Sequence, residues 1–160
     1  MAGQGRPIWH GEWRIEDLAA LTRNTLVDHL GIEFVEIGHD TLKARMPVRR
    51  ETAQRLGYLH GGASVALAET VGSLASQMCI DRDTHASLGL DINANHLRAV
   101  AQGQYVFGIA RPIHLGRQVH VWEVRVETDD GKMACIGRLT TSIQPRARSG
   151  AGAQNFQTQG

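Results

Sequence analysis

The chain has 160 residues, enough for one domain with a sizeable core. Its 17 Lys+Arg against 16 Asp+Glu leave a formal charge of +1, which gives no argument for nucleic acid or a membrane as partner; a local basic patch for a phosphorylated ligand stays open. Cys79 and Cys135 are too few for a disulfide framework and lack metal-ligand spacing, so a reducing cytoplasm is the expected compartment.

Residues 1–12 read as an N-terminal extension, with Trp9, His10, Gly11 and Glu12 breaking any apolar signal core. From 15 to 30, Leu18, Leu21, Leu26 and Leu30 recur among polar residues, which predicts one amphipathic helix stopped by Gly31. Residues 32–37 and 41–48 read as a hairpin around Gly38-His39-Asp40, followed by a polar loop over 49–59. A long helix of small and apolar residues is expected from about 61 to 80. Four strands are expected over 85–97, 103–113, 118–128 and 132–143, with Asp129-Asp130-Gly131 as a hairpin turn between the last two. After Pro145 the chain is Arg, Ser, Gly, Ala and Gln with Phe156 as its one large apolar residue, so 146–160 read as a flexible tail. The order predicts an α+β domain over 13–145: five or six mostly antiparallel strands wrapped around one buried helix.

That helix carries a lone carboxylate, Glu69, among residues built for burial. A buried carboxylate is costly unless paired or used. Ser73 lies four residues on, on the same face. At the helix start, Gly61 offers a free N–H at the positive end of the macrodipole, and Gly62 lets a ligand approach the backbone. A carbonyl oxygen placed there is polarised as in an oxyanion hole, with Gln54 and His60 as further donors. Eight residues separate Gly61 from Glu69, roughly 12 Å along the axis. One reacting carbonyl cannot touch both, so joint action requires two antiparallel copies of the helix and hence a homodimer.

Plainer readings stand beside these. A Glu in an apolar helix can be exposed or paired at an interface. His60 can cap and pack the turn, Ser73 can be merely a small helix residue, and Gln54 can be a solvated loop residue. Arg98 and Arg117 can be solvated strand-end charges. His96, His114 and His120 lack a His-Glu-x-x-His run or a cysteine pair, so they read as structural rather than metal-binding.

Taken together, Gln54, the run from Leu59 to Ser64, Leu67-Ala68-Glu69, Gly89-Leu90, the run from Asn93 to Arg98 and Pro112 to Gly116 resemble the hotdog-fold acyl-CoA thioesterases of the phenylacetate-pathway type. Within that family the likeness is greatest to 1,4-dihydroxy-2-naphthoyl-CoA hydrolases and enterobactin-pathway proofreading thioesterases. It spans residues 8–144. The resemblance implies Glu69 as nucleophile or general base, and the Gly61 N–H as oxyanion donor helped by Gln54 and His60. It implies that Ser73 orients the hydrolytic water and that Gly89 lines the acyl pocket. Coenzyme A would be held by His96, Leu97, Arg98 and Ala99 and by His114, Leu115, Gly116, Arg117, Gln118 and Val119, with the two arginines suited to phosphate. The chain departs from the pattern after Gly116, where relatives tend to carry Ser-Arg-His. The implied reaction is hydrolysis of an aromatic or medium-chain acyl-CoA without metal or other cofactor, in a homodimer that pairs further into a tetramer. The rivals are a hotdog hydratase or dehydratase, which usually uses Asp and His before the helix, and a non-catalytic acyl-CoA-binding module, which usually has an appended effector domain.

Overall fold

A computed structural model describes residues 6–146; the expected tail beyond Arg146 and residues 1–5 lie outside it. In chain order the elements are α1 (Ile15–Thr22), α2 (Leu26–Leu30), β1 (Glu33–Ile37), β2 (Leu42–Pro47), a 3-10 turn (Arg50–Thr52), α3 (Gly61–Met78), β3 (His85–His96), β4 (Tyr105–Leu115), β5 (Val119–Thr128) and β6 (Met133–Pro145). The six strands form one sheet in the order β1-β2-β4-β5-β6-β3, and every neighbouring pair is antiparallel.

The single helix expected over 15–30 is instead two. Asn24 takes a left-handed conformation at φ 59°, and Thr25 starts a new helix by accepting the Val27 N–H on its hydroxyl. Asn and Thr side chains compete for backbone groups in this way, and here they override the apolar spacing. The break lets Leu18 and Leu30 both reach the core, while Leu21 and Leu26 stay exposed. Gly31 ends α2 as expected, at φ 70°.

α3 lies in the curve of the sheet. Leu67, Ala68, Val71, Ala75 and Met78 are fully buried, and so are the sheet residues Ala110, Trp122, Val124 and Leu139. Burying each large side chain contributes roughly 1.5–3 kcal/mol. The helix is rich in small residues because the sheet comes so close. A Cβ on Gly72 would sit 2.6 Å from Leu139 Cδ2, and one on Gly108 of β4 would sit 2.9 Å from Leu67 Cγ. Before α1 the chain is packed too: Trp9 stacks on Trp122 at 6.5 Å and donates its indole N–H to the Gly38 carbonyl.

Two features of β3 bear on the site. It forms one edge of the sheet, pairing only with β6. Its register shifts between Gly89 and Asp91, a bulge beside α3. Among the described residues, no helix is long and apolar enough to cross a membrane.

Candidate active site

α3 begins at the glycine pair with His60 as its cap. His60 Nδ1 accepts the Gly62 N–H at 2.8 Å, and the His60 carbonyl accepts from Ala63 and Ser64 at 2.9 and 3.1 Å. With Nδ1 an acceptor, the ring proton of neutral His60 is on Nε2. The Gly61 N–H has no acceptor among the described residues. It is therefore the free donor of the first turn, at the positive end of an 18-residue helix.

The surrounding loop presents further donors. Gln54 Oε1 accepts the Leu56 N–H at 2.5 Å, which leaves the carboxamide NH2 to donate to a ligand. The His96 ring lies over Gly61, where a Cβ would come within 3.0 Å of Nε2. Gln54, Gly61, His96, Leu97, Arg98 and Ala99 line one cavity of about 460 Å³. Beyond β3 the Leu97 and Arg98 N–H groups both donate to the Ala134 carbonyl, so this end of the cavity is held to β6.

Glu69 does not line that cavity. It forms a second cluster two turns along α3. Ser73 Oγ donates to Glu69 Oε1 at 3.0 Å, and both residues are half-buried. Gly89 faces the same oxygen: a Cβ there would sit 2.5 Å from Oε1. Strand and carboxylate meet this closely only because the strand carries no side chain at that point. We expect Gly89→Ala to displace the Glu69 side chain while leaving the fold intact, because the atom it meets is the end of a flexible group. Thiol-release activity should fall by about 10²-fold, on the scale of a 1 Å misplacement. An unchanged rate would mean that the position of the carboxylate does not matter.

The third cluster is the turn between β4 and β5. His114, Gly116, Arg117, Gln118 and Val119 line an open recess of about 650 Å³, closed at its base by the Gly116 N–H donating to the Val119 carbonyl. Leu115 pairs across the ladder with His120. The expected residues thus fall into three clusters, which one chain does not bring together into a single cavity.

Sequence reading missed a fourth group. His120, taken as structural, is buried and hydrogen-bonds through Nδ1 to Ser76 Oγ at 2.8 Å. Its signal was a polar residue at an inward position of β5, where Trp122, Val124 and Val126 are apolar. Burial pushes the His120 imidazole below its ordinary value, more than its contact with the Gly116 carbonyl raises it. The unfolded chain therefore takes up this proton at higher pH than the folded one. Stability from this group is present above the ordinary imidazole value, about 6.5, and is lost as pH falls toward the folded value. His120→Gln should flatten the fall in melting temperature between about pH 7 and about pH 5, and parallel curves for variant and parent would refute this.

The cysteines do not compete as nucleophiles. Burial pushes the Cys79 thiol up to about 12 and also raises that of Cys135. Among the described residues, no group of three or more His, Cys, Asp or Glu is placed to hold a metal ion.

A central helix wrapped by an antiparallel sheet is the plan of the hotdog fold. The sequence profile of the thioesterase superfamily matches residues 56–135, and the chain belongs to that family as a thioester hydrolase of hotdog fold. Its relatives include the proofreading thioesterase EntH of Cronobacter turicensis, 47% identical over 85% of this chain and 98% of that protein. The 1,4-dihydroxy-2-naphthoyl-CoA hydrolase of Escherichia coli is 43% identical over 85% of this chain and 98% of its own. Among solved structures, a mutant of thioesterase PA1618 from Pseudomonas aeruginosa superposes with a TM-score of 0.84 at 46% identity, covering 87% of this chain and 99% of that one.

Proposed function

We propose that the chain hydrolyses aromatic or medium-chain acyl-CoA thioesters to the free acid and coenzyme A, at centres shared by two antiparallel copies of α3. The observation that carries this reading is the unpaired Gly61 N–H, eight residues from the Ser73-supported carboxylate of Glu69 and in a different cluster. The Gly61 N–H of one copy receives the thioester oxygen, with the Gln54 carboxamide and the His60 Nε2–H beside it. Glu69 of the other copy attacks the carbonyl carbon or takes a proton from the attacking water. The C–S bond breaks, and coenzyme A leaves as a thiolate that takes up a proton; where Glu69 was the nucleophile, water then hydrolyses the acyl anhydride on it, releasing the free acid and restoring the carboxylate. Negative charge that grows on the oxygen meets a donor already in place, which is where preorganised N–H groups contribute most. No step requires a metal or redox cofactor.

The edge strand supports the pairing. β3 runs for 12 residues with Asp91 as its one acidic or basic residue apart from histidines, and it exposes Leu88 and Leu90 at 53% and 61%. Edges left open to water are normally short or carry charges, and this one fits a second β3. A tetramer built from two such dimers, acting in the cytoplasm, completes the reading. Coenzyme A would run from the cavity at His96, Leu97, Arg98 and Ala99 toward a turn that carries Arg117. The aromatic acyl group is favoured by the naphthoyl-CoA hydrolase among the relatives. The test is thiol release across aromatic, aliphatic and branched acyl-CoAs. Aromatic and medium-chain thioesters should turn over fastest, and the reading fails if none of the panel is hydrolysed.

A further inference from the structure

Four polar side chains meet in the core just beyond Ser73 on α3. Ser76 and Thr141 are fully buried, and Ser87 and His120 nearly so. Ser76 Oγ lies 2.8 Å from His120 Nδ1, 2.7 Å from Thr141 Oγ1 and 2.9 Å from Ser87 Oγ, which donates to it. Ser76 satisfies all three contacts at once, with one hydrogen to give and two lone pairs to receive. His120 is the second residue of β5, just after the turn that the Gly116 N–H closes on the Val119 carbonyl.

A buried polar cluster of this kind costs desolvation at every member, and a fully apolar cluster would suit the alternation of β5 better. What the histidine supplies is reach. Its Nδ1 is bonded to the helix that carries Glu69 and Ser73, and its backbone follows directly on the turn that carries Arg117. His120, Gly116 and Arg117 also line a common cavity of about 710 Å³ behind that turn. Ser87, two residues before Gly89, holds β3 to the same helix through Ser76.

We infer that His120 is a positioning residue for coenzyme A: it ties the β4–β5 turn to α3 through Ser76, so that the turn backbone and Arg117 are set relative to the helix before the coenzyme arrives. This rests on the acyl-CoA reading above and adds a residue that touches neither the thioester nor the coenzyme.

Two substitutions separate the bond to Ser76 from the bulk of the ring. The short amide of His120→Asn reaches as far as Nδ1 and keeps Ser76. The longer His120→Gln reaches the position of the far nitrogen and loses Ser76. The measurements are the Kd for coenzyme A by calorimetry, KM and kcat for benzoyl-CoA, and the melting temperature. His120→Gln should weaken coenzyme A about tenfold and raise KM by a similar factor with a much smaller change in kcat, as expected for one lost positioning hydrogen bond. His120→Asn should stay within about twofold of the parent in Kd, because the bond to Ser76 is kept. Should His120→Gln fail to fold, Ser76→Ala frees the imidazole from the helix and should weaken coenzyme A severalfold. The inference is overturned if affinity is unchanged in the folded variant, if Asn and Gln weaken it equally, or if the parent binds no coenzyme A. A parent that binds coenzyme A but hydrolyses no acyl-CoA refutes the proposed reaction alone, and the comparison of Kd values still decides the role of His120.

Discussion

Glu69→Gln should release thiol from benzoyl-CoA about 10²–10⁴ times more slowly than the parent chain, with no loss of thermal stability. The two halves of that result have separate causes. A carboxamide has nearly the shape of a carboxylate, and its oxygen can still accept the Ser73 hydroxyl that now donates to Oε1. It carries no charge, so removing it from water costs less than it does for the carboxylate. What it lacks is basicity and nucleophilicity, which both versions of the mechanism demand of this position. A rate near that of the parent would remove Glu69 from the mechanism. A fall in rate matched by a fall in melting temperature would point to a structural role instead.

Mixing that variant with Gly61→Pro should restore about a quarter of parental activity from two nearly inactive proteins, if each centre draws Gly61 and Glu69 from different chains of a dimer. Random exchange makes half of the dimers mixed. Each mixed dimer has one centre with both groups intact and one with neither. Proline suits the test. It removes the N–H, and its ring is tolerated at the first position of a helix. His60 already lies at φ −72° and ψ 134°, the extended conformation that a residue before proline prefers. The added ring meets the His96 side chain, which is exposed at the end of β3 and can turn aside. Mixed dimers that form and stay inactive would show that the two groups do not act on one carbonyl across the interface.

Much of this was legible in the sequence where the signal is local. The strands showed in their alternation, α3 in its run of small apolar residues, and the donor and carboxylate clusters in a glycine pair and a lone Glu on that helix. The N-terminal helix misled because Leu18, Leu21, Leu26 and Leu30 keep a helical spacing across a break made by Asn24 and Thr25. Periodicity reports which residues could share a face, not whether the backbone between them stays helical. His120 was missed for another reason. Ser76, Ser87 and Thr141 are far from it in the chain, and only the register of β5 on β6 and of β6 on β3 brings them together around one hydroxyl. The three expected clusters were each legible, and helix spacing alone parted Gly61 from Glu69; that the β4–β5 turn forms a recess of its own, apart from the cavity at Gly61, needed the fold.

If each centre is shared by two chains, the parting of Gly61 from Glu69 would tie catalysis to protein concentration. A chain with its donor and its carboxylate in different clusters would then gain no working centre by folding alone. On the shared-centre reading, specific activity would fall upon dilution below the dimer dissociation constant, while the fold of each chain persisted. A newly made copy would stay idle until it met another, so the number of working centres would grow as the square of chain number when chains are scarce and in proportion to it when they are abundant.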